Sequence, residues 1–205
     1  MMAQDFIAML AEDFSWGLRA ADARQPVATS QRRKEVSYKA GIGPHSETRT
    51  IELVLDELRE WKSSIYGSAK TNVPYPNLSL QKCDLVLDTP DTWFVEAKMM
   101  RLMGDNGKPN DNILTHILSP YPRQNSALTD CEKLSKSGFP GRYAILIFGY
   151  EYPSWPLAPV MSAFECLARR NVSLSAPAVA IFENLIHPVH VGGAVYAWEV
   201  SHASG

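Results

Sequence analysis

The chain has 205 residues, 45% of them hydrophobic and 20% charged, a globular composition with enough apolar side chains for one well-packed domain. Its formal net charge of −2 and pI near 6.2 exclude a global basic field, so any grip on nucleic acid has to come from local lysine and arginine clusters. Three scattered cysteines, Cys83, Cys131 and Cys166, exclude a disulfide framework and fit reduced thiols in a cytoplasmic protein. With no cationic leader and no apolar run of about eighteen residues, the chain is expected to be neither secreted nor membrane-spanning.

Residues 3–20 repeat Phe6, Ile7, Leu10, Phe14 and Leu18 at helical spacing. That stripe predicts a helix packed on the body of the protein or on a second subunit. From 21 to 44 the composition shifts to Gln, Pro, Ser and Gly around the basic residues Arg32, Arg33, Lys34 and Lys39. This stretch reads as a solvated loop or as an arm able to hold a phosphate backbone. A second helix is predicted from Ser46 or Glu47 to Trp61, with Ile51, Val54, Leu55, Leu58 and Trp61 on one stripe. Glu47 falls on that stripe near the helix start. There it either answers the positive end of the helix dipole or is a buried acid in need of a partner. Residues 62–80 form a weakly extended stretch whose Pro74 and Pro76 suit one edge strand.

Two β-branched and aromatic runs follow, residues 83–87 and 92–98, on either side of the turn formers Asp88, Thr89, Pro90 and Asp91. Centring the hairpin on Pro90 sets Asp84 opposite Glu96, Val86 opposite Phe94 and Lys82 opposite Lys98. The other face, Cys83, Leu85 and Leu87 against Trp93, Val95 and Ala97, is then the half that packs on a core. After Lys98 comes a long polar insertion, 99–123, glycine-punctuated at first and briefly helical near 113–118. A third helix is predicted over 126–136, with Ala127, Cys131 and Leu134 inward and Asp130 and Lys133 at its margin. Residues 142–150 (RYAILIFGY) read as a buried strand. A helix near 160–170 and strands near 178–182 and 194–200 complete the chain. His187 and His190 have a spacing found in zinc sites, but no cysteine pair or second histidine pair accompanies them, so a structural or surface role is expected.

The hairpin is where chemistry concentrates. Opposed residues on paired strands have Cβ atoms roughly 4.5–5.5 Å apart, close enough for Asp84 and Glu96 to share one divalent cation. Hard oxygen donors suit Mg²⁺, with Mn²⁺ able to substitute, and the Ala97 carbonyl is a candidate further ligand. Lys98, two residues beyond Glu96 on the same strand, projects beside the ion, where it can orient or help deprotonate a water. Asp91 is excluded from this site, because it lies five residues from Glu96 along one strand, about 16 Å. The alternative is a surface hairpin whose Asp, Glu and Lys are ordinary solvated residues.

Asp84, then eleven residues, then Glu96-Ala97-Lys98 on consecutive strands resembles the motif of the PD-(D/E)xK nuclease superfamily, with Cys83 standing where that family has proline. The resemblance spans roughly residues 45–150. It implies an α/β, restriction-endonuclease-like fold: an αβββαβ core with a mixed central sheet flanked by helices, plus an N-terminal helix and C-terminal strands. The chain would then be a single nuclease-like domain, with an N-terminal helix and basic arm over 1–45, a catalytic core over 46–150, and a C-terminal helix and strands over 151–205. It also implies a Mg²⁺-dependent DNA endonuclease of restriction type, homodimeric by analogy, leaving a 3′-hydroxyl and a 5′-phosphate. Asp84 and Glu96 would hold the metal with Ala97, Lys98 would position or activate water, and Glu47 would be a third acid, with Glu52 the other candidate. Arg32, Arg33 and Lys34 of the arm, and Arg101, Lys108 and Arg123 of the insertion, are the candidate DNA contacts, with His116 beside the latter. A repair, recombination or defence nuclease, and a non-catalytic nucleic-acid-binding module, are the alternative functions.

Overall fold

The computed structural model describes residues 3–29, 37–78 and 80–202. Helices α1 (Ala3–Ala23), α2 (Glu47–Trp61) and the single turn α3 (Ser63–Tyr66) precede strands β1 (Lys70–Pro74), β2 (Lys82–Asp88) and β3 (Thr92–Met100). Then come α4 (Thr115–Leu118), a 3₁₀ turn at Pro122–Gln124, α5 (Ala127–Ser135), β4 (Arg142–Tyr150), α6 (Ala158–Ala168), β5 (Val172–Leu174), β6 (Ala178–Phe182) and β7 (Gly193–His202). The protein is a mixed α/β structure built on one seven-stranded sheet with the order β1-β2-β3-β4-β7-β5, in which β6 also pairs with β7. Pairing is antiparallel except between β3 and β4, which run parallel from Trp93↔Arg142 to Met100↔Gly149.

Period-two alternation explains how the sheet is covered. Along β4, Ala144, Leu146, Phe148 and Tyr150 belong to one buried cluster and Ile145 and Ile147 to the other, as expected of a central strand buried on both faces. The first cluster is closed by α1 and α2, whose stripes Phe6, Ile7, Leu10, Phe14, Leu18 and Ile51, Val54, Leu55, Leu58 are all buried. Thus α1 packs on the body of its own chain, and Phe6 stacks on Trp93 with ring centroids 4.0 Å apart. The second face is closed by α5 and α6 through Ala127, Cys131, Leu134, Met161 and Phe164.

Four sequence expectations need correction. Trp61 does not reach the core; it is 45% exposed and stacks on Trp16 at the surface. The stretch before β1 contains the turn α3, and β5 adds a short strand beyond the two expected after α6. Cys83 joins the second cluster with Val86 and Phe94, not the face of Leu85 and Leu87, because β2 loses its regular alternation at Asp84.

The start of α2 is held by contacts distant in sequence. Asp22, buried near the end of α1, accepts hydrogen bonds from the backbone N–H groups of Ile42 at 2.8 Å and Ile186 at 2.7 Å. Gly41 makes that approach possible: its φ is +125°, and a Cβ there would sit 2.9 Å from the His187 nitrogen, a conformation and a clearance open only to glycine. Ser46 then caps the helix by accepting from Arg49 N–H, the usual device for satisfying a first-turn donor.

Phe14 is buried under α1 against Phe148, 5.1 Å between centroids. Phe14→Ala is expected to destabilise the protein by about 3–5 kcal/mol, whereas Trp61→Ala, which removes a surface stack, should cost about 1.5 kcal/mol or less. Urea unfolding of the two variants checks this; equal losses would mean that α1 is not part of the cooperative core.

Candidate functional site

The β2–β3 hairpin has the expected register, pairing Asp88↔Thr92, Leu87↔Trp93, Val86↔Phe94 and Leu85↔Val95. It stops one residue before the expected Asp84–Glu96 pair, so neither that pair nor Lys82–Lys98 forms in the ladder. In its place the Asp84 side chain bridges the gap: Oδ2 accepts the Ala97 N–H at 2.9 Å. On the other side of β2, Asn72 adopts a left-handed φ of 55° where β1 passes Asp84. The opening of the hairpin at this point is what frees the edge of β3. A residue's N–H and C=O leave a strand by the same edge, so the Ala97 carbonyl faces the Asp84 side.

Glu96 is 2% exposed, which rules out the solvated-hairpin reading. Its Oε1 accepts a hydrogen bond from the Tyr75 hydroxyl and lies 3.1 Å from Lys133 Nζ. Burial, then the neighbouring Asp130 and Asp84 carboxylates, push its carboxyl well above the usual range, with Lys133 opposing. Lys98 Nζ lies 2.8 Å from Asp130 Oδ2 and 3.7 Å from Glu47 Oε1. Burial alone would lower its ammonium, but Asp130 and Glu47 outweigh that and raise it, so Lys98 stays charged.

Glu47 reaches the site from the first turn of α2. Its Oε2 accepts the Met99 N–H at 2.6 Å, tying the helix start to the end of β3 beside Lys98. Burial raises its carboxyl above the ordinary value, with Lys98 and the Met99 N–H opposing. Glu52 instead pairs with Arg49 at 2.8 Å and is 46% exposed. Of the two candidate helix acids, Glu47 is therefore the one in contact with Lys98.

Two residues expected at the margin of α5 prove central. Asp130 is 1% exposed and sits between two ammoniums, Lys98 and Lys133, each at 2.8 Å. The order Glu47, Lys98, Asp130, Lys133, Glu96 is thus a continuous line of alternating charge. Their signal in the sequence was an Asp–Lys pair three apart on one side of the Ala127, Cys131, Leu134 stripe, a spacing that makes neighbours on a helix. Tyr75, the remaining partner of Glu96, gave no signal beyond a lone aromatic between two prolines.

The other expected contacts scatter. Arg32, Arg33 and Lys34 lie outside the described residues. Arg101 is near the cluster, two residues past Met99, with Nη1 on the Gly43 carbonyl at 2.5 Å and 3.7 Å from Asp105. Lys39, Lys108, His116 and Arg123 are exposed, on separate segments, and none of them pairs with the carboxylate cluster among the described residues. His187 and His190 are buried, stacked on each other at 4.8 Å. His190 bonds to the Tyr152 hydroxyl at 2.7 Å and to Asp105 at 3.0 Å, a structural role.

Four carboxylates, Glu47, Asp84, Glu96 and Asp130, face two ammoniums, Lys98 and Lys133, leaving two negative charges uncompensated when all are ionised. That excess, and a donor set made only of oxygen, fit a hard divalent cation that keeps several waters of its own. Among the described residues, no three His, Cys, Asp or Glu side chains are already gathered as a metal-ligand group. The fit therefore rests on Asp84, Glu96 and a backbone carbonyl. No helix among the described residues is long and apolar enough to cross a membrane. No family model matches the chain, and neither does any curated protein or solved structure.

Asp130→Ala would leave two largely buried ammoniums without their shared carboxylate, a change expected to cost about 3–5 kcal/mol. Urea unfolding checks it. A loss below about 1 kcal/mol would show that solvent already screens the cluster.

Proposed function

We propose that the chain is a metal-dependent phosphodiester hydrolase acting on DNA, a restriction-like endonuclease of the PD-(D/E)xK kind. The observation that carries this reading is the convergence of Glu47, Asp84, Glu96 and Lys98, from one helix and two strands, at the place where the hairpin opens. The order of elements supports the finer fold assignment. Helix α2, strands β1, β2 and β3, helix α5 and the parallel strand β4 follow one another as in the restriction-endonuclease-like core. The resemblance by itself is a fold-level analogy; the site is what argues for chemistry.

Asp84, Glu96 and the Ala97 carbonyl would hold Mg²⁺, or Mn²⁺ in its place. When bound, the ion polarises the scissile phosphate and acidifies a water. The chain's own residues then have separable tasks. Glu96 is kept in place by Tyr75 and Lys133, so its carboxylate is presented without rotamer freedom. Lys98, held as an ammonium by Asp130 and Glu47, donates hydrogen bonds. That charge state supports orienting the attacking water and steadying a phosphate oxygen over taking up a proton. Asp130 and Lys133 act through Lys98 and Glu96 and are positioning residues.

A second reading, a nucleic-acid-binding module without turnover, draws on the same cluster: each of its charges already has a protein partner, as in a structural network. The two are separated by incubating the protein with plasmid DNA, with Mg²⁺ and with EDTA, alongside Glu96→Ala and Lys98→Ala. Mg²⁺-dependent cleavage is expected, falling by about a hundredfold or more in either variant. Thermal unfolding offers a readout apart from turnover: Mg²⁺ in excess of its dissociation constant should raise the Tm of the wild type and not that of Glu96→Ala. Intact DNA under all conditions, with metal-insensitive binding, would replace the hydrolase by the binding module.

A further inference from the structure

An open groove of about 990 Å³ lies at the first turn of α2 and the loop after β3, walled by Thr29, Tyr38, His45, Arg49, Arg101 and Asn106 among others. The cluster's own residues are not on its wall, but their neighbours in the chain are. Ser46, on its wall, precedes Glu47, and Arg101 follows two residues after Met99, whose N–H Glu47 accepts. We propose that this groove holds the backbone of the substrate DNA on one flank of the scissile phosphate, with Arg49 and Arg101 as phosphate contacts. This inference rests on the nuclease reading and adds to it the path of the strand.

The lining decides the class of occupant. Sites for small molecules are mostly apolar and enclosed, whereas this groove is open and lined by Arg, His, Asn, Thr and Ser. It is also much larger than a single phosphate. Arg49 and Arg101 each make their contacts through Nη1, Arg49 to Glu52 and Arg101 to Gly43 and Asp105. Among the described residues, Nε and Nη2 of both guanidinium forks make no hydrogen bond, and such forks match phosphate oxygens. Among the described residues the one acid on the wall is Asp105, which is engaged by His190 Nε2 at 3.0 Å and faces Arg101, and this offsets its charge. The groove also takes in the N-terminal end of the fifteen-residue α2, where the helix dipole adds positive potential.

The test measures binding of a fluorescein-labelled DNA duplex by anisotropy, with Ca²⁺ replacing Mg²⁺, across a salt series. Arg49→Glu and Asn106→Glu both place a carboxylate in the groove at exposed positions, so folding is not at stake. Arg170→Glu, just past the end of α6, changes the charge as much as Arg49→Glu and more than Asn106→Glu, and is the control for net charge. Both groove variants should weaken binding by about tenfold, and Arg49→Glu should flatten the salt slope by close to one phosphate contact, while the control binds like the wild type. Groove variants that bind as the wild type does would overturn the inference, and continued Mg²⁺-dependent cleavage would leave the nuclease reading intact. A wild type that neither binds nor cleaves DNA would remove both.

Discussion

A carboxylate on the middle strand of a sheet covered on both faces cannot stand alone, and Glu96 is such a group. Removing it from water costs several kcal/mol unless its charge is answered nearby, and the answer recruits most of the surrounding structure. Tyr75 comes from the loop after β1, Lys133 from α5, and Lys133 in turn needs Asp130, which needs Lys98. Lys98 brings in Glu47, and Glu47 fixes the start of α2 against Met99. The contacts of one buried acid thus tie both helical layers to the central strands.

That dependence has a geometric counterpart. The hairpin could have continued its ladder through Asp84 and Glu96. It opens at that point, and the Asp84 carboxylate takes over the Ala97 N–H. The opening turns a backbone edge toward the cluster and breaks the alternation of β2, which is why Cys83 changes face. A charge excess left in so closed a setting is a destabilising feature by itself, and it gains a purpose if a divalent cation enters it. Perturbed titratable groups gathered at one place make a functional-site candidate.

The helix start that carries Glu47 is held from far away in the chain. Asp22 anchors the segment before it to the turn at Ile186, and Gly41 lets the two backbones approach. The groove is formed from this anchored segment, the first turn of α2 and the loop after β3. Cluster and groove therefore share one scaffold.

Most of what local periodicity sets could be read from the sequence, Trp61 and Cys83 apart. The stripes of α1 and α2, the hairpin register from Asp88↔Thr92 to Leu85↔Val95, the buried strand β4 and the helix α5 were all legible, because side-chain period follows from backbone geometry alone. That Glu96 and Lys98 share one face of β3 was legible for the same reason, whereas the expected Asp84–Glu96 pair does not form in the ladder. Only the tertiary structure put Glu47, and not Glu52, in contact with Lys98, since both sit on one helix and the contact depends on where β3 passes it. It also moved Asp130 from a helix margin to the centre of the charge line, and brought in Tyr75 from a proline-rich loop. Such groups meet across 21 to 52 residues of chain, and what joins them is the requirement that a buried charge find a partner, which leaves no periodic trace in the sequence.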